Sequence, residues 1–489
     1  MSAITLIELS VLVPLIGALL ISLLGRFPNL REAVTLITAV VLLMIVVQIL
    51  LRVIAGERPH ADLIGFLPHV PIAIAAEPLG CLFAVVASLL WIITSCFSIG
   101  YMRSHHEQNQ TRFYAFFAVA IACAMGVAFA DNLVTMFVFY EALTLSTFPL
   151  VGHHGTPEAR RGARTYAGIL LAASFALMLP AIVAVEQAAG TVNFTPGGIL
   201  AGRLSDAGAA IVLALFVFGI AKAALMPLHR WLPAAMVAPT PVSALLHAVA
   251  VVKAGVFCIL KVTLYIFGLA YLQDTGISLW LAYVAAATIV IASLVAFTKD
   301  NLKARLAYST VSQLSYIVLG AMVATGAGIV GGAMHIAMHA FGKITLFFCA
   351  GAILVASHKT EISDMRGLGR RMPFTFAAFL LASLSIIGLP PAGGAWSKWQ
   401  LLVATADAGQ LPLMAALMLS SLLSLGYLVP IGVRGFLAPA AGVSRQVSAG
   451  GISEAPLFCV VALWLTAAGS VALFVLADPL YRFLEPLGR

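Results

Sequence analysis

The chain has 489 residues, of which 62% are hydrophobic and only 9% charged, and its mean hydropathy is +1.06. So few charges cannot cover a water-soluble protein of this size, whereas a lipid-facing surface calls for apolar residues; the composition excludes a soluble enzyme and predicts an all-α polytopic membrane protein. The net charge of +8 does not point to nucleic acid, because the basic residues are spread through loops between apolar segments rather than gathered in a patch.

A helix needs about 20 apolar residues to cross the hydrocarbon core. The opening stretch MSAITLIELSVLVPLIGALLISLLGRF has no basic n-region of a signal peptide and reads as the first span. In chain order the predicted spans lie near 4–25, 33–54, 78–101, 113–130, 133–152, 165–186, 208–228, 241–266, 277–298, 305–324, 328–356, 374–406, 411–436 and 455–479, fourteen in all. Loops after odd-numbered spans carry seventeen Lys or Arg, among them Arg26, Arg112, Arg160, Arg161, Arg230, Lys303, Arg370 and Arg445. Loops after even-numbered spans and the tail carry five: Arg52, Arg58, Arg203, Arg482 and Arg489. This bias predicts odd loops in the cytoplasm and both termini on the outer side of the inner (plasma) membrane.

The five remaining basic residues fall inside spans: Lys222, Lys253, Lys261, Lys343 and Lys398. Glu141 joins them, nine residues or about 13 Å of helix from Asn132 and so near the midplane. A charge at that depth costs at least about 2.5–3.5 kcal/mol, so these groups should face protein or water. Lys261 is near the end of its span and is expected to snorkel to the interface. A structural ion pair with Glu141 would account for one buried lysine; four lysines and one glutamate at similar depth instead suggest a proton path, since desolvation disfavours a charged ammonium and lets it release its proton. In MHIAMHAFGKITLF, His335, His339 and Lys343 follow at i, i+4 and i+8 on one helix face. A histidine row can pass protons near neutral pH; packing alone, or zinc on the His-x3-His pair, are alternatives, but no third metal ligand is evident. His247 is six residues before Lys253, too far round the helix for direct contact and within reach through water.

Two spans carry breaks. GLPPAGGAWSKW places Pro390 and Pro391 before Lys398, and KAALMPLHRWLPAAMVAPTP places Pro227 after Lys222, five spans earlier. Interrupted helices at matching positions of two halves point to inverted repeats with a midplane site, although a plain proline kink packed on Gly388, Gly393 and Gly394 would also break a helix. The six cysteines are scattered through apolar segments with no C-x-x-C, so no cofactor, metal centre or disulfide framework is expected; no phosphate-binding G-x-x-x-x-G-K-[ST] loop is present either.

The segments FVFYEALTLSTFPLVGHH, KAALMPLHRWLPAAMVAPTPVSALLHAVAVVKAGVF, KARLAYSTVSQLSYIVLG, HIAMHAFGKITLFFCAGA and GLPPAGGAWSKW closely resemble the antiporter-like membrane subunits. That family is shared by respiratory complex I (its L, M and N subunits), membrane-bound hydrogenases and multisubunit Mrp sodium/proton antiporters. The resemblance runs from about residue 75 to about 430. It implies fourteen helices with discontinuous helices 7 and 12, and a division into 1–110, a first repeat 111–270, a second repeat 271–436 and a last span 437–489. It further implies two half-channels joined by a polar axis, in which Glu141 pairs with and tunes Lys222, and Lys253, Lys343 and Lys398 continue the path. Lys398 stands where the M-type subunit carries glutamate, and the chain stops short of the lateral helix of the L type, so the pattern is most similar to the D-type subunit of the Mrp branch. The expected function is proton translocation in an Mrp-type monovalent cation/proton antiporter, with other membrane subunits as partners. The alternatives are a proton pump of a complex I-like or hydrogenase-like enzyme, which would make it part of a redox translocase, and an energy-coupling subunit of a proton-driven uptake complex.

Overall fold

The structure is a computed structural model, and it describes residues 2–67, 70–438 and 451–488. Arg445 and Arg489 of the charge pattern lie outside the described residues. Twelve helices among the described residues are long and apolar enough to cross a membrane: α1 (Ala3–Leu23), α2 (Pro28–Ile54), α3 (Pro78–Ser104), α4 (Gln110–Ala128), α5 (Leu133–Val151), α6 (Pro157–Ala189), α8 (Thr240–Phe267), α9 (Leu279–Thr298), α10 (Leu302–Val323), α11 (Gly326–Ser357), α14 (Leu411–Leu437) and α15 (Leu457–Val475). The two shorter apolar helices α7 (Asp206–Gly219) and α12 (Pro373–Ile387) coincide with the two spans that the prolines interrupt, and α13 (Gly394–Asp407) resumes after the second break. Polar residues at the loop junctions start the helices by satisfying free backbone N–H groups: Asn132 Oδ1 accepts from Thr135 N at 2.7 Å on α5, and Thr325 Oγ1 from Gly328 N at 3.1 Å on α11.

Hydrogen bonds between loops sort them into two faces. On one, Arg112 donates to the His153 carbonyl at 2.9 Å, Lys303 Nζ to Ala238 O at 2.5 Å and Gly367 N to Arg434 O at 3.2 Å, joining loops that follow odd-numbered predicted spans. On the other, Ala75 N donates to Phe129 O at 2.7 Å, Leu133 N to Val192 O at 3.0 Å and Gln273 Nε2 to Ala324 O at 2.9 Å, joining loops that follow even-numbered ones. The basic loops therefore share one face. A feature absent from the sequence expectation lies on the other: an antiparallel hairpin, β1 (His60–Leu67) and β2 (Val70–Ala75), whose second strand buries Ile72, Ala73 and Ile74.

Both breaks begin earlier than the prolines suggest. α7 stops at Gly219, and Lys222 lies in a single 3-10 turn, Ala221–Ala223, rather than in a helix. α12 stops at Ile387, where Gly388 takes a φ of 94°. Each break is packed against a glycine. A Cβ on Gly255 of α8 would fall 2.4 Å from the Lys222 backbone carbonyl carbon, and one on Gly388 would fall 2.7 Å from Lys398 Cδ. Only a residue without a side chain lets either lysine segment approach so closely.

Candidate functional site

α8, α10 and α11 are among the most deeply buried helices, and the charges gather on and around them. Lys222, Lys253 and Lys343 are fully buried, and Lys398 is 5% exposed. Desolvation at such depth has to be offset by bonds, and each ammonium has them. Lys222 Nζ donates to Tyr140 O at 2.7 Å and Thr144 Oγ1 at 2.6 Å, both on α5, and stands 3.1 Å from the Tyr140 ring centre. Lys343 Nζ donates to Ser309 Oγ at 2.8 Å, and the Tyr427 hydroxyl donates to the same oxygen at 3.0 Å. Lys398 Nζ donates to Ser421 Oγ at 3.0 Å and to the carbonyl of Ile387, which the second break leaves free, at 3.2 Å.

Lys253 differs. Its Nζ lies 2.6 Å from His339 Nδ1, so a single proton stands between two basic nitrogens. The His339 ring stacks on His335 with centres 5.7 Å apart, and His335 stacks on Tyr316 at the same spacing. Tyr316 in turn receives the Lys398 ammonium over its ring at 4.5 Å, while His335 Nδ1 and Ser397 Oγ are 2.8 Å apart. Lys253, His339, His335, Tyr316 and Lys398 thus form one row from α8 through α11 and α10 to α13.

Two sequence expectations meet a different geometry, while His247, expected to stand clear of Lys253, has other neighbours. Glu141 does not touch Lys222: no ion pair joins them among the described residues, and its carboxylate interacts with Lys222 across a gap and with Ser174. The lysine turns to the α5 backbone and Thr144 instead. Lys343 does not continue the histidine row, because its ammonium is drawn across to Ser309 on α10. His247 packs on Phe347 at 4.6 Å between ring centres, and both its nitrogens lack hydrogen-bond partners.

Lys261 is a correction. It does not snorkel: it is 2% exposed, 2.8 Å from Glu77 Oε1, and donates to Ala130 O at 2.6 Å. The pair borders a cavity of about 530 Å³ on the face of the hairpin, which Asp131 and Arg58 also line. Burial raises the pKa of Asp131, with Lys261 and His60 acting against it and Glu77 and Asp62 with it.

Residues 130–424 match the family described as NADH:quinone oxidoreductase/Mrp antiporter, TM. The chain belongs to this family. Lys222, Lys253, His335, His339, Lys343 and Lys398 all lie within the matched range. Subunit N of the NADH-quinone oxidoreductase of Desulforudis audaxviator is 30% identical over 478 residues, 95% of this chain and 94% of that one. Chain 5 of the NAD(P)H-quinone oxidoreductase of Synechocystis sp. is 31% identical over 370 residues, 71% of this chain; the match spans about half of that relative, 53%. In fold, the chain is similar to a subunit of the Mrp complex from Dietzia sp., with a TM-score of 0.88 over 100% of this chain and 97% of that one at 22% identity. The chain is thus an antiporter-like, multi-pass membrane subunit of the kind found in Mrp and complex I-like assemblies.

The partners Tyr140, Thr144, Ser309, Tyr316, Ser397, Ser421 and Tyr427 were not singled out from the sequence. Hydroxyl residues occur throughout these spans, and only the fold tells which ones meet a lysine.

Proposed function

We propose that the chain is the proton-translocating subunit of a multisubunit Mrp-type monovalent cation/proton antiporter, with Lys222, Lys253, His339, His335, Lys343 and Lys398 carrying the proton and Glu141 and His247 at its margins. The observation that carries this is the row of hydrogen-bond and ring contacts Lys253–His339–His335–Tyr316–Lys398, buried across four helices, with a nitrogen-to-nitrogen contact of 2.6 Å at its head. Stability alone has no use for four buried cations with one unpaired anion, since each buried charge costs several kcal/mol that a hydrophobic residue would not. Two five-helix repeats, 111–270 and 271–436, fit the placement of the breaks after α7 and α12, each setting a lysine against a glycine. The basic face is then cytoplasmic, with both termini outside.

The match along nearly the whole of a subunit N favours a second reading, the proton pump of a complex I-like enzyme whose redox centres are on partner chains. Similar length to the Mrp subunit and the lysine at position 398 support the first. The two readings separate on composition. Gentle purification through a tag on this chain, followed by mass spectrometry and an absorption spectrum, should give small hydrophobic partners without flavin or iron–sulfur absorbance; cluster-bearing soluble subunits would establish the second reading instead.

A further inference from the structure

The loops after α3 and α5 meet on the basic face, and their titratable groups are not part of the axis. Glu107 in the first loop has a side chain 8% exposed, while His153 and His154 in the second are 2% and 36% exposed. The His154 ring faces two acceptors: its Nε2 is 3.2 Å from Glu107 Oε1 and its Nδ1 is 3.2 Å from the Val237 carbonyl oxygen. A neutral imidazole has one N–H, so with Glu107 ionised both bonds require the doubly protonated ring; once the proton is on Glu107, the ring keeps both by donating from Nδ1 and accepting at Nε2. His153 stands at the other oxygen of the same carboxylate, with its Nε2 3.8 Å from Glu107 Oε2, and its ring also interacts with the Gln108 backbone.

The surroundings separate the two rings. The bond to Glu107 raises the pKa of His154 against its burial, with the Glu107 charge and the Val237 carbonyl adding and Lys303 opposing. Burial lowers that of His153, with Arg112 and His154 adding and Glu107 and the Gln108 backbone opposing. Burial acts upward on Glu107, but His154, His153 and His105 together hold its carboxyl below the usual range. Tyr101 also stands near enough to Glu107 to feel its charge.

We propose that Glu107, His153 and His154 form a proton-loading site on the basic face, taking protons from the aqueous phase and passing them inward. The accessible His154 ring holds the proton. It moves from His154 Nε2 to Glu107 and from Glu107 to His153 Nε2, and His154 then reloads from water; one proton moves at each step and no electron. The Val237 contact ties the site to the segment between Lys222 and Thr240. The proposal rests on the proton-path function above and supplies its uptake end.

The test uses the intact complex. Diethyl pyrocarbonate acylates neutral imidazole, so the pH at which His154 becomes half-reactive, followed by peptide mass spectrometry, reports its proton without reference to transport. Glu107→Gln should lower that midpoint by about one pH unit, the least an adjacent carboxylate gives. It should also slow transport about tenfold at alkaline pH, with recovery on acidification. His154→Asn, at a partly exposed loop position, should give the same alkaline defect and decides the matter alone if Glu107→Gln fails to assemble. An unchanged midpoint in Glu107→Gln, or unaltered pH profiles of transport in both variants, overturns the loading site. Lys222→Ala reports separately on the axis: a dead Lys222→Ala beside normal loop variants leaves the axis standing, and a normal Lys222→Ala removes it.

Discussion

Lys222 has lost its helix but not its bonds. Two oxygens of α5 take its ammonium, while Glu141, one residue after Tyr140, stands off from it and interacts with Ser174. The carboxylate therefore acts on Lys222 through space, and a small rotation would change the balance between them. Glu141→Ala should abolish proton-coupled transport in vesicles while the complex still assembles, and Thr144→Val should weaken it by removing one of two bonds. Lys261 calls for the opposite expectation. Removing one member of a buried pair leaves the other charge uncompensated, at a cost of roughly 3 kcal/mol. Lys261→Ala should lower the melting temperature of the purified complex, and the double variant Lys261→Met with Glu77→Gln should restore much of it; an unchanged melting temperature in the single variant would contradict the pair. The lysines were legible in the sequence because a charge is conspicuous in an apolar run. Their partners were not. The depth of Lys261 was also misread, because the residues that bury it, Glu77 and Ala130, are far off in the chain and only folding brings them over it.

At the scale of the element, the breaks after α7 and α12 place carbonyls and lysines together where a continuous helix would have used every carbonyl itself. The Ile387 carbonyl is an example: freed by the break, it accepts from Lys398. The prolines announced that both spans would break, but not where. α7 ends eight residues before Pro227, because the run GIAKAALM carries no strong breaker and the end is fixed by packing on Gly255. Gly388→Ala would place a Cβ at a φ of 94° and against Lys398. The left-handed backbone costs about 1–2 kcal/mol, and relieving the clash would move the lysine. The expected outcome is an assembled complex, modestly destabilised, whose transport falls far more than its stability; thermal melting and transport assays on the same preparation would show whether the two losses part in this way.

At the scale of the whole molecule, the alternation of basic and neutral loops, legible in the sequence, agrees with two sets of loops that, among the described residues, bond within their own face. The hairpin His60–Ala75 was hidden because its strands are short and its second one packs on the helix ends at Phe129 and Asp131. If the basic face is cytoplasmic, a cysteine placed at Arg161 should resist a membrane-impermeant thiol reagent in right-side-out vesicles, and one placed at Asp62 should react; the reverse pattern would invert the orientation. The polar row crosses the molecule between these faces. The measurement that tests it most directly is proton-coupled cation transport by complexes carrying Lys222→Ala or Lys253→Ala, each checked for full assembly. Loss of transport in both is the predicted result; wild-type rates in both would contradict a proton path through this chain.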